Sequence, residues 1–269
     1  MVAAIFIGSS GGESRKIAAN CLRPVREEGK MTQDQIDVLN ILWSAADMGA
    51  LMARNGIDIW TGAYYEGALG LVSLAAQKAS QRFGTNTLQL GAVFERYFPN
   101  DPNVIQGELT PVSTNSERLG LYFKKANAFI LMGGGGLGTL AEIFGAFKDD
   151  TLRHEIVTYG TYIDPDNLNL RPFIIVDSTG KTQVLLSFIF NSFIGQEKCL
   201  GSQIITDLMK RIYIFGPEAF EKIKKQDRYL GLMRLNPESK AQIVNILRFY
   251  DHFDGSTIPK GLTFYDRVS

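Results

Sequence analysis

The chain predicts an α/β fold of the Rossmann-like, doubly wound kind, with a mainly parallel sheet and helices on both faces. Three observations carry this. Short, continuously apolar runs recur, as buried parallel strands do. Segments with helical spacing of apolar side chains lie between them. Glycine-bearing turns follow several of the runs directly, as strand–loop–helix units require. A length of 269 residues suits one large α/β domain or a domain with an appendage.

Residues 2–7 are apolar throughout and read as the first strand. They lack a basic n-region and run straight into a turn, so they do not read as a signal peptide. Gly8-Ser9-Ser10-Gly11-Gly12 follows, and a helical stretch begins near Glu13. Ser9 and Ser10 are candidate anion donors, with a plain tight turn as the alternative. Pro24 and Gly29 interrupt the next segment. Thr32-Gln33-Asp34-Gln35 then reads as a capping box. It opens a helix expected to bury Ile36, Leu39, Leu42, Ala46 and Leu51. Gly56 ends that helix, and residues 57–61 form the second strand. The loop from Gly62 through Gly67 to Gly70 enters a helix of small residues (Ser73, Ala75, Ala76, Ala79) suited to close packing on a sheet. A strand is expected at 88–94. Residues 95–110 contain Pro99, Pro102 and Gly107 and read as a long loop of the kind that carries function. Residues 113–125 read as helical.

The apolar run Ala128-Phe129-Ile130-Leu131-Met132 leads into Gly133-Gly134-Gly135-Gly136-Leu137-Gly138-Thr139-Leu140-Ala141-Glu142. Beyond it, Leu140, Ile143, Phe144 and Phe147 are spaced as one face of a helix. Strand, glycine loop and helix start make an anion site. Glycines let backbone N–H groups approach an oxyanion closely, and the helix start adds unpaired donors and positive dipole. Thr139 adds a hydroxyl. Two readings compete for Glu142. It reaches back to Thr139 as the last member of a T-x-x-E capping box, or it stands beside whatever the loop holds.

The remainder continues the alternation. A helix is expected to continue over 152–158, with a turn at Asp164-Pro165-Asp166-Asn167. A buried strand at 172–176 ends in Asp177-Ser178-Thr179-Gly180. A helix follows at 184–193 and the last strand at 212–215. Pro217 opens a closing helix over 218–225. These elements make residues 1–225 a Rossmann-like domain. Residues 226–269 form a C-terminal extension. Its helix runs from near Asn236 through Ile243, Ile246, Leu247 and Tyr250, and Phe253, Phe264 and Tyr265 follow. Such a tail is expected to pack on the domain or on a neighbouring subunit.

Composition narrows the function classes. Lys plus Arg and Asp plus Glu both number 28, so no global charge favours nucleic acid or an anionic membrane. No apolar run is expected to reach the roughly 18 residues of a bilayer span. Cys21 and Cys199 make no disulfide framework and read as small core residues in a reducing, cytoplasmic setting. His154 and His252 are too few and too scattered for a metal site, so no metal is expected. Gly133, Gly135 and Gly138 fit G-x-G-x-x-G, but a dinucleotide site wants an acidic residue about 20 positions on. Asp149 and Asp150 come too early and Asp177 too late. Gly180-Lys181-Thr182 ends like a P-loop, but Ile175 occupies the position of its first glycine. No cofactor is expected.

The motifs resemble those of the LOG family of nucleoside 5′-monophosphate phosphoribohydrolases, often labelled possible lysine decarboxylases. That family carries P-G-G-x-G-T-x-x-E, and residues 134–142 match it except that Gly134 replaces the proline. Ser116-Glu117-Arg118 resembles its H-E-R-K, with Leu119 in place of the lysine. Gly8-Ser9-Ser10 resembles its first-strand loop. The segment from Gly62 to Gly70 resembles its G-G-G-x-x-G-L-M-G loop, with Ala63 for one glycine. The resemblance covers about residues 1–225. It implies hydrolysis of the N-glycosidic bond of a nucleoside monophosphate, with Arg118 and Glu142 as the catalytic pair. Gly135, Gly136, Gly138, Thr139, Ser9, Ser10, Gly62 and Gly67 would hold the phosphate and ribose. It also implies a homodimer or larger homo-oligomer. The alternative is a nucleotide sensor of the same fold without catalysis. Such a module keeps the glycine loops but has no need of Arg118 and Glu142.

Overall fold

The structure is a computed structural model. It describes residues 3–8, 32–65, 67–95, 105, 107–133, 139, 142–147, 171–182, 184, 186, 209–223 and 232–251. The expected helix near Glu13, the segments 152–158 and 164–167, most of the helix 184–193, both cysteines and both histidines lie outside these residues.

Among the described residues seven parallel strands form the main sheet: β1 (Ala3–Ile7), β2 (Asp58–Thr61), β3 (Gln89–Phe94), β4 (Glu108–Val112), β5 (Ala128–Met132), β6 (Phe173–Val176) and β7 (Ile212–Phe215). Their order is β4-β3-β2-β1-β5-β6-β7. Between β1 and β5 the winding reverses, and Ile7 pairs with Leu131 at their carboxyl ends. Among the described residues four α-helices flank the strands: α1 (Gln33–Arg54), α2 (Gly67–Phe83), α3 (Asn115–Lys125) and α4 (Pro237–Asp251). Residues 142–147 add a helical stretch after β5.

Alternation along each strand divides the core. Phe6, Ile59, Ile130, Ile174 and Tyr213 join one cluster with Met48 and Met52 of α1, Val72 of α2 and Leu247 of α4. Ile5, Ile7, Trp60, Phe129, Leu131 and Phe173 join another with Tyr122 of α3 and with Ile143 and Phe147. Helices therefore cover both faces, the doubly wound arrangement that the sequence predicts. Phe129 and Phe173 stack with ring centroids 4.9 Å apart across β5 and β6.

Several elements differ from expectation. The segment read as a loop ends in β4, which pairs with β3 from Leu90↔Glu108 to Phe94↔Val112. It is an edge strand, largely solvent-facing and carrying Pro111, so it shows no apolar run. A proline is tolerated there because one side of an edge strand needs no ladder donor. The closing helix over 218–225 is also corrected. Pro217–Ala219 forms a 3-10 turn, and β8 (Phe220–Lys222) pairs antiparallel with β9 (Met233–Leu235).

The capping box at Thr32 and the helix end at Gly56, with φ 66°, are as expected. The most buried positions of α1 are not the large aliphatics named from the sequence. Ile36, Leu39, Leu42, Ala46 and Leu51 are only partly buried, while Ala45, Met48, Gly49, Met52 and Ala53 are fully enclosed. Small and unbranched side chains let α1 lie close to α2. A Cβ on Gly49 would collide with the Val72 backbone. An 18-residue window of α1 has a mean hydropathy of 1.3, so by length and composition this helix is apolar enough to cross a bilayer, contrary to the expectation. In the fold, its Met48 and Met52 are buried in the core.

Candidate functional site

In a doubly wound sheet the ligand cleft lies beyond the carboxyl ends of the strands, where the winding reverses. Here that point falls between β1 and β5. Gly8 follows β1 and Gly133 follows β5, so the first-strand loop and the central glycine motif start on adjacent strands. A Cβ on Gly8 would stand 3.1 Å from the Met132 Cβ. The third glycine loop starts at Gly62 after β2, the neighbour of β1 on the other side. Gly62 borders open space, since an added Cβ would meet nothing within 4 Å. Gly67 has φ 63°, a left-handed conformation that favours glycine, and it opens α2. Ser9, Ser10, Gly135, Gly136 and Gly138 lie outside the described residues. Thr139 is buried at 8% exposure.

Ala63 also adopts a left-handed conformation, with φ 64°. It stands where the resembling loop has a glycine. A side chain in that conformation costs about 1–2 kcal/mol. Gly91 on β3 makes room for it, because a Cβ there would come 2.6 Å from the Ala63 Cβ.

The structure brings Arg118 and Glu142 together. Arg118 Nη2 donates to Glu142 Oε1 at 3.2 Å, and both side chains are largely buried. Arg118 sits on the first turn of α3, whose start is fixed by a full capping box. Thr114 accepts from the Glu117 backbone N–H, and the Glu117 side chain accepts in return from the Thr114 N–H. Thr114 follows β4 by two residues, so this helix start lies at the carboxyl edge of the sheet. Burial pushes the Glu142 carboxyl above its ordinary value, and the Arg118 charge pulls it partly back.

Tyr122, one helical turn beyond Arg118, was not singled out by the sequence. Its hydroxyl donates to the Thr61 carbonyl at 2.8 Å, tying α3 to the end of β2. Burial raises its phenol well above the ordinary range. The i, i+4 spacing from Arg118 was the available signal. Asp177, at the end of β6, accepts from the Thr179 and Thr182 N–H groups and from the Thr179 hydroxyl. It thereby shapes the turn beside Gly133, where an added Cβ would stand 2.9 Å from Asp177 Oδ1. Among the described residues no group of three or more His, Cys, Asp and Glu is placed to hold a metal ion.

Sheet order, parallel pairing and two helical layers define a Rossmann-like α/β protein whose winding reverses between β1 and β5. No protein-family model matches the chain, and no curated protein matches it. Among solved structures it is similar to the molybdenum cofactor binding protein of Rippkaea orientalis, at 18% identity and TM-score 0.44, over 81% of this chain and 90% of that one. It is similar to the molybdenum cofactor carrier protein of Chlamydomonas reinhardtii at 13% identity and TM-score 0.46, over 80% and 90% of the two chains. It is similar to the protein TM1055 at 17% identity and TM-score 0.38, over 65% and 73%. At these identities and scores the similarity says nothing of what this chain binds or does.

Proposed function

We propose that this chain is a LOG-like phosphoribohydrolase, cleaving the N-glycosidic bond of a nucleoside 5′-monophosphate to free base and ribose 5-phosphate. The observation that carries the reading is the Arg118–Glu142 pair at the carboxyl edge of the sheet. As the bond from C1′ to the base breaks, its electron pair leaves with the base and positive charge builds on the ribose. A carboxylate held out of bulk water, close to that carbon, steadies the charge. Water then adds its hydroxyl to C1′, and a proton goes to the departing base. Arg118 opposes the effect of burial on the Glu142 carboxyl and holds it in register. Thr139 with Gly135, Gly136 and Gly138 takes the 5′-phosphate or ribose, flanked by Ser9, Ser10, Gly62 and Gly67. The scheme uses no cofactor and no metal. It takes residues 1–225 as the catalytic domain and 226–269 as an extension, in a cytoplasmic homo-oligomer.

The test is a panel of nucleoside monophosphates assayed for released base. Wild type is expected to release base from at least one. Glu142→Gln and Arg118→Ala should each lower the rate by roughly a hundredfold or more. Release that survives both substitutions would put the chemistry elsewhere. Tight nucleotide binding with no release from any substrate would make the chain a nucleotide-binding module instead.

A further inference from the structure

Arg118 makes few polar contacts among the described residues. Among the described residues its guanidinium donates to Glu142, while its Nε is buried with no hydrogen-bond partner. A buried guanidinium ordinarily spreads several donors over acceptors. Here aromatic rings take their place. The Arg118 Cζ lies 5.4 Å from the centroid of Phe94, the last residue of β3, and 5.9 Å from that of Tyr122. Ring faces attract a cation, and a flat, weakly hydrated guanidinium suits them. Tyr122 is itself fixed, by the hydrogen bond to Thr61 and by an edge contact with Trp60 at 6.1 Å.

We propose that Phe94 and Tyr122 are positioning residues whose ring faces hold Arg118 against Glu142 in place of the usual hydrogen bonds. This deepens the hydrolase reading and rests on it only for the effect on turnover. Among the described residues the charged and titratable groups acting on this cluster are Arg118 and Tyr122 from α3, Glu142 from the helical stretch after β5, and Tyr64 from the loop after β2. If the faces set where Arg118 sits, losing one weakens its pull on the carboxylate. Glu142 then holds its proton more tightly.

The experiment compares Phe94→Leu, which keeps apolar bulk without a ring, and Phe94→Tyr, which keeps the face. Phe94→Met serves in place of the leucine variant if that one does not fold. The Glu142 carboxyl is titrated by carbon-13 NMR in the full chain, with Glu142→Gln assigning the signal. Phe94→Leu is expected to raise the midpoint by about half a unit to one unit. Phe94→Tyr should leave it within about 0.2 unit, since its ring face is retained. A leucine variant that melts earlier but titrates like wild type would make Phe94 mere packing and overturn the proposal. So would a tyrosine variant that shifts as far as the leucine one. The titration needs no substrate, so a wild type that releases no base would sink the hydrolase reading and leave this result standing. Where base is released, the acid limb of the kcat profile should move up with the NMR midpoint.

Discussion

Glu142 is the residue on which burial and charge pull in opposite directions. Burial raises its pKa above 4.5 and Arg118 lowers it, with burial the larger effect. The folded chain therefore holds this proton more tightly than the unfolded chain. Its contribution favours the fold in acid and is lost as pH rises from about 4.5 through the folded value. Glu142→Gln removes that dependence. The stability of the glutamine variant relative to wild type should thus climb as pH rises through this window and flatten above it. Urea melts of both proteins between about pH 4 and pH 8 would measure it. A difference that stays level across the range would mean that the carboxyl ionises as freely in the fold as outside it. The local pattern Thr139-x-x-Glu142 leaves two fates open for this side chain. The contact with Arg118 spans 24 residues and two elements, so no local pattern decides between them. Only the resemblance brought Arg118 forward, and the part played by Tyr122 went unread because buried tyrosines are commonly just core.

Helix α3 places Arg118, and its start is set by four residues. Thr114-x-x-Glu117 makes the same reciprocal cap that Thr32-x-x-Gln35 makes on α1. Replacing either threonine by alanine should cost about 1 kcal/mol of stability. The consequences should differ. Thr114→Ala loosens the turn that carries Arg118, so it should also lower base release severalfold. Thr32→Ala should leave release near wild type. Chemical denaturation and the nucleotide assay on the two variants check this together, and equal activity in both would detach α3's cap from the site. At this scale the sequence was legible where chemistry is local. Caps, glycine stops and continuous apolar runs placed β1, β2, β5, β6 and β7 to within a residue or so. Edge strand β4 was not legible, because exposed Glu108, Thr110 and Pro111 break up its two aliphatics, Leu109 and Val112. The closing helix failed for a different reason. Pro217 begins a helical turn as its rigid φ favours, but Phe220 turns into the core and pairs with Leu235. That partner lies beyond any local window.

Alternation of strands and helices made the doubly wound class readable, whereas the order of the strands was not. Neighbours in the sheet are chosen by packing between segments far apart in the chain, as with Ile7 beside Leu131. The same holds for the C-terminal segment. Helix α4 buries Ile243, Ile246, Leu247 and Tyr250 in the cluster that also holds Phe6, Ile130 and Tyr213. The hydroxyls of Tyr213 and Tyr250 lie 3.0 Å apart, and Lys240 pairs with Asp47 of α1 at 2.9 Å. A helix so embedded should melt with the sheet. Leu247 is 1% exposed, and cutting a buried leucine back to alanine costs about 2–5 kcal/mol. For a chain of this size that is a fall of roughly 5–15 °C in melting temperature. Leu247→Ala should therefore shift one cooperative transition by that amount, seen alike by calorimetry and by the fluorescence of Trp43 and Trp60. A separate early transition that alone moved with the substitution, while the tryptophan signal stayed in place, would mean that α4 folds as an independent unit.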